Sequence, residues 1–294
     1  MRHPTCRSSW CPRPWRLALM VALLTGFPLI PANAQDREEA PATAAPTVSY
    51  AHVADLVTAA SAIATVRVRS IAPVPPERAG GLPPGSVRYY VDADTTGLIR
   101  GNSAAARRIS FLLDLPDTGR RRPDFKKRVF LIFGQIGERV DFFQLLSSTA
   151  VIDWTPANEA LVRKVLAEAL APDSPPAITG ISSAFHVAGA IQGEGETQVF
   201  LETADGSPIS LSIIRRPDEQ PLFSAALGEV VDDRAVMPPR DTMLWYRLAC
   251  GLPRSLPADA LEGLALPDMD AARRDYAAFL EALGTCNRSG TPPA

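Results

Sequence analysis

Between Thr197 and Arg216 the chain alternates apolar and polar residues twice, with an Asp-Gly pair between the runs. Val199, Leu201 and Thr203 alternate with Gln198, Phe200 and Glu202, and Ile209, Leu211 and Ile213 alternate with Ser210 and Ser212. A period of two puts each set on one face of a strand, so the segment is predicted as a β-hairpin. A two-residue Asp205-Gly206 loop would set Leu201 opposite Ser210 and mix the faces. A three-residue loop, Ala204-Asp205-Gly206, sets Leu201 opposite Ile209 and Val199 opposite Leu211. A slip of one residue flips every side chain, so the second register is expected. Gly206 then takes the left-handed position of a bulged type I turn. Pro208 cannot donate to a ladder, which predicts that its end of the strand lies at a sheet edge.

The same reading applies upstream. Val53, Leu56, Val57 and Ala60 recur at helical spacing and predict a short helix over 50–60. Residues 63–74 read as a strand, with Ala64, Val66 and Val68 facing one way and Arg67 and Arg69 the other. Residues 88–101 read as strand, turn and short strand, and 108–116, 127–135 and 141–146 as three more strands. Five short strands with Gly/Pro turns predict a small closed barrel. A helix followed by this strand series resembles the oligonucleotide/oligosaccharide-binding barrel and its exported netrin-like relatives.

Thr155 is the expected cap of a helix opening at Pro156, with Leu161, Val165 and Ala169 as its apolar stripe. Beyond it come a strand at 181–188, the hairpin, a strand at 222–231 and two helices. For the first of these helices (240–251), Asp241 is the expected cap and Gly251 the stop; for the second (268–284), Asp268 and Gly284. The expected fold is mainly β with α+β: a five-stranded barrel domain at 49–153, then an α+β domain at 154–294, an antiparallel sheet packed with helices.

The start of the chain has a different pattern. Arg2, Arg7, Arg13 and Arg16 precede an apolar run, Leu17 to Ile30, and then Ala32-Asn33-Ala34. This order predicts a signal peptide over 1–34, cleaved after Ala34, and an exported, periplasmic protein. The run is shorter than the ~20 residues of a membrane helix. Residues 35–48, rich in acids, Ala and Pro, read as a disordered tether. The leader holds four arginines and no acid, so its removal takes the net charge from −2 to −6. An acidic exported chain is a poor general nucleic-acid binder. Cys6 and Cys11 leave with the leader, and Cys250 and Cys286 remain as an expected disulfide in an oxidising compartment.

Candidate chemistry is sparse. His186 lies near Ser182, Glu194 and Glu196, the residue types of a hydrolase. No G-x-S-x-G elbow accompanies them, and Ser182 and His186 on one extended strand lie at least ~10 Å apart. His52 is the only other histidine after residue 34, and no H-E-x-x-H or paired C-x-x-C is present, so neither a metal site nor a cofactor is expected. Asp92, Asp94 and Gly97 match the start of a calcium loop, but position twelve is Ser103 and the flanks read as strands, so a polar hairpin tip is expected. Arg120, Arg121, Arg122, Lys126, Lys127 and Arg128 form the densest basic cluster, a site for an anionic glycan, a phospholipid head group or an acidic envelope protein, or else solvated loop charge.

The blocks PPAITG, FHVAGAIQGEGETQVFL and RDTMLWYRLACGLP resemble segments of exported proteins of alphaproteobacteria to which no activity is assigned. The resemblance implies an envelope location and carries over no catalytic residue. The expected function is therefore non-enzymatic binding or an envelope-associated role. The alternative is a periplasmic hydrolase with its site near His186, recognised by a cleft where Ser182, His186 and Glu194 or Glu196 converge.

Overall fold

Strand β4 (Val129–Ile136) ties the molecule together, because it is buried on both faces. The computed structural model describes residues 46–101, 106–119, 123–228 and 236–290. The expected leader, nearly all of the tether, Ser103, Arg120, Arg121, Arg122 and the last residues of the expected 222–231 strand lie outside the described residues.

Helix α1 (Tyr50–Ala59) starts where the Ser49 hydroxyl accepts from the His52 N–H, satisfying one of the free donors of its first turn. It leads into β1 (Ala62–Pro73), β2 (Ser86–Arg100), β3 (Arg108–Pro116), then β4, β5 (Phe143–Leu145) and β6 (Val151–Asp153). The strand order is β3-β2-β1-β4-β5, with β6 also on β4. These pairs are antiparallel. A parallel bridge from Ser110 to Phe142, beside β5, brings β3 against the other end of the sheet and nearly closes a five-stranded barrel.

The 88–101 segment is one strand, not strand, turn and short strand. Shifts in the β1–β2 register between Ile63 and Ala64, Thr65 and Val66, and Val68 and Ser70 bend this long ribbon around the barrel. The curvature is spread over bulges, so Thr95-Thr96-Gly97 continues the strand and is no hairpin tip. The three residues of β6 are too short to show alternation and escape the sequence pattern.

Ala64, Val66, Val91, Phe111, Phe130 and Ile132 fill the barrel interior. Leu131 and Phe133 of β4, with Ile63 of β1, point out of the barrel into a second core. This explains the unbroken apolar run of β4. At Gly134 the β5 backbone comes so close that a Cβ would lie 1.9 Å from the Gln144 carbonyl oxygen. Glycine is required there by contact.

Thr155 caps α2 (Pro156–Leu170) by accepting from the Asn158 N–H, with Pro156 in the first turn. Strands β7 (Ile178–Ala188), β8 (Gly195–Thr203), β9 (Ile209–Arg215) and β10 (Leu222–Ala226) form a second antiparallel sheet, ordered β10-β9-β8-β7. Leu201 faces Ile209 and Val199 faces Leu211, as the three-residue loop requires. Gly206 has φ +79°. Strand β9 is interior, however, so Pro208 is not on an edge strand. It precedes the strand and lies beyond the last β9–β10 pair, Ser210 with Ala226, so no ladder bond is lost.

Helix α3 (Met243–Gly251) is capped by Thr242, not Asp241; the Thr242 hydroxyl accepts from the Trp245 N–H. Asp241 instead turns the chain with φ +59°. Helix α4 (Leu266–Leu283) begins before Asp268, with Pro267 in its first turn, and ends at Gly284 with φ +79°. Proline's fixed φ favours that earlier start. Val199, Leu211 and Ile213 of the second sheet, Val53 of α1, Val165 of α2 and Phe279 of α4 share the second core. Thus α1, from the first half of the chain, packs with the elements of the second. Cys250 and Cys286 are joined in a disulfide at the ends of α3 and α4. Among the described residues no helix is long and apolar enough to cross a membrane.

Candidate functional site

His186 of β7 stands opposite Thr197 of β8. Its Nδ1 lies 2.9 Å from the Thr197 hydroxyl oxygen. Thr197 donates to Asp275 of α4 at 2.5 Å, and Arg215 of β9 donates to the other oxygen of Asp275. His186 Nδ1 is 3.7 Å from the Asp275 carboxylate. Four elements thus meet in one polar group inside the second half of the chain. Thr197 is 0% exposed and Asp275 1%. The His186 ring lies against Gly195, where a Cβ would be 2.7 Å from Cε1.

The expected partners of His186 are elsewhere. Ser182 is the extra residue of a bulge between Ile181 and Ser183, and its hydroxyl donates to the Phe200 carbonyl at 3.1 Å. Glu194 is exposed in the loop after β7. Glu196 accepts from Gln198 at 2.7 Å and from Ser212 at 3.2 Å. Sequence reasoning missed Asp275. Its signal is helical spacing: three residues past Ala272 and four before Phe279, both fully buried, it occupies the core face of α4. A carboxylate there requires a buried partner.

In the basic cluster, Arg128 donates to Asp153 at 2.7 Å. Its guanidinium also sits 5.0 Å from the ring centres of both Phe125 and Phe130, so it is a structural cation. Lys126 and Lys127 are exposed on the turn before β4. Of the calcium-like stretch, Asp92 accepts from Ser110 at 2.9 Å, and Asp94 pairs with Arg69 at 3.2 Å. Among the described residues no three His, Cys, Asp or Glu side chains are grouped to hold a metal.

Four surface hollows stand out, and none of the four is lined by Ser182, His186, Glu194 or Glu196. The largest, about 470 Å³, lies by the barrel seam near Arg88 and Asp114. These two residues neutralise each other in a forked pair at 2.7 and 2.8 Å. A second, of about 340 Å³, lies between the outer faces of β1 and β2 and the start of α2. Trp154 forms one wall, with its indole N–H donating to Glu159 at 2.6 Å. Arg163 donates to the other oxygen of Glu159 at 2.8 Å. These bonds, from Trp154 and then Arg163, hold the Glu159 carboxyl below the usual range despite partial burial. Thr65 and Arg67 line the same hollow as Trp154.

No protein-family model and no curated protein sequence matches this chain.

Proposed function

We propose that this chain is an exported envelope protein that binds a ligand or partner without catalysing a reaction. The observation that carries the reading is the closure of the His186 group. Thr197, the hydroxyl within hydrogen-bond reach of His186, is 0% exposed, and Asp275 behind it is 1% exposed. A substrate has no path to an oxygen so enclosed, and every polar atom of the pair is committed to another side chain of the fold. A general base has to reach the proton that it takes. The group therefore acts as a pin between the second sheet and α4.

The Cys250–Cys286 bridge supports the export part of the reading, because such bonds persist in oxidising compartments. The order of basic residues, apolar run and Ala32-Asn33-Ala34 supports the same part, and the resemblance to exported alphaproteobacterial proteins agrees with it. The test has two arms. Mass spectrometry of the chain from fractionated cells is expected to find it in the envelope, starting at Gln35. A cytosolic chain retaining Met1 would overturn export. His186→Gln is expected to abolish no reaction. A hydrolytic activity lost in that variant, with the fold intact, would sink the non-enzymatic reading.

A further inference from the structure

The hollow beside Trp154 brings together three groups suited to a charged sugar. The first is an aromatic face. Trp154 is 39% exposed, and its only polar atom is already committed to Glu159. Glu159 is in turn fixed by Arg163, so the ring is held in place before any ligand arrives. What the indole offers to solvent is therefore a flat apolar surface. The second group is a cation with no ion pair among the described residues. Arg67 is exposed and pairs with no described residue. Its barrel neighbours Arg69, Arg88, Arg108 and Arg128 each engage an aspartate. The third is a hydroxyl pair. Thr96 donates to the Thr65 carbonyl at 3.1 Å and keeps its lone pairs free, while the Thr65 hydroxyl bonds to no described residue.

We propose that this hollow binds an acidic saccharide. One pyranose ring lays its C–H face on Trp154, where the π cloud is negative. Its carboxylate takes a forked pair of hydrogen bonds from Arg67, whose planar donors match carboxylate geometry. Thr65 and Thr96 meet the ring hydroxyls. The volume of about 340 Å³ holds one or two sugar units. A polyphosphate chain needs several cations, whereas Arg163 at this hollow is already bound to Glu159. A neutral sugar leaves Arg67 without its partner. The inference rests on the binding function proposed above and gives it a ligand class.

The test uses the full chain with ¹⁵N-labelled tryptophan, titrated with sodium glucuronate, with trigalacturonate, with their methyl esters and with hexathymidylate. The Trp154 indole signal, assigned by its loss in Trp154→Phe, is expected to shift saturably with both acids. The esters and the Arg67→Gln variant are each expected to bind at least about ten-fold more weakly, through loss of the charge-assisted forked pair. Arg67 is exposed, so unchanged Trp245 signals and an unchanged melting temperature are expected to show an intact variant. No saturable shift with either acid, equal binding of the esters, an unaffected Arg67→Gln, or tighter binding of hexathymidylate overturns the proposal. Chromatography of the probe separates the two readings. Cleavage of bound trigalacturonate upholds the site and removes the non-enzymatic function. Absence of acid binding removes the site and leaves that function standing.

Discussion

The Thr197 hydroxyl donates a hydrogen bond to Asp275 across 78 residues of sequence, joining the middle of the second sheet to the C-terminal helix. Arg215 closes the other side of the carboxylate. Asp275→Ala removes the acceptor from both donors, while Thr197 keeps His186. The expected cost is about 1–3 kcal/mol, the penalty for stranding buried donors. Asp275→Asn keeps one carbonyl acceptor and is expected to cost less. Urea unfolding of the two variants checks the order.

This group marks the limit of what the sequence shows. The hairpin register was legible because alternation and turn length had one solution that kept Leu201 and Ile209 together. The caps at Thr155 and Gly284 were legible because each is set by its own residue and immediate neighbours. Asp241 and Thr242 compete for the same cap, and only the backbone decides between them. The His186 group could not be read from its surroundings, because Asp275 comes from an element packed on the sheet only after folding. The wall of the Trp154 hollow has the same origin. Arg67 and Trp154 are far apart in sequence, and both meet β4 at Val129, which brings them to one hollow.

Gly134 is predicted to be intolerant of any side chain. In Gly134→Ala the new methyl meets the Gln144 carbonyl oxygen, and Phe143 Cε1 at 2.8 Å blocks the way round it. Backbone atoms of β5 have to move, breaking the Gly134–Leu145 pair. Overpacking of this kind costs roughly 1–3 kcal/mol or more. Thermal melts are expected to show a loss of several degrees, whereas Gly193→Ala, which meets no atom within 4 Å but has φ +90°, isolates the cost of backbone strain alone.

Alkaline pH is predicted to weaken the fold through three buried phenols. Burial, and then the hydrogen bond to Asp55, pushes the Tyr246 phenol up to about 12. Tyr50 is raised too, by burial and then by Glu168, and Tyr276 by burial. An unfolded phenol ionises near pH ~10. Below that pH both states hold the proton and stability is unaffected. Above it the unfolded state loses its proton first, so stability falls as pH rises toward each folded value, by about 1.4 kcal/mol per pH unit for each phenol. Urea midpoints between pH 8 and pH 12 check the slope, which Tyr246→Phe is expected to flatten. A midpoint that holds steady to pH 12 would show that these phenols ionise freely in the native chain.

The Cys250–Cys286 bridge is predicted to hold the chain's end more than the last helix. Helix α4 is already fixed by the buried Ala272, Tyr276 and Phe279. The Trp245 indole N–H, which donates to the Leu283 carbonyl at 3.0 Å, fixes its last turn. Beyond Gly284 the contacts are thinner. Ser49 N–H reaches the Ser289 carbonyl at a long 3.4 Å, and Arg288 pairs with Asp55 at 2.7 Å on the surface. The bridge spans 36 residues, for which chain entropy gives about 3–4 kcal/mol. Reduction, or Cys286→Ser, is therefore expected to lower the unfolding free energy by up to that amount. It is also expected to speed hydrogen exchange first at Ser49, while the amides of α4 between Ala272 and Phe279 stay protected. Simultaneous loss of protection along all of α4 would mean that the bridge, and not the core, holds the helix. Thiol labelling of the unfolded, unreduced chain checks the premise, and is expected to mark neither Cys250 nor Cys286.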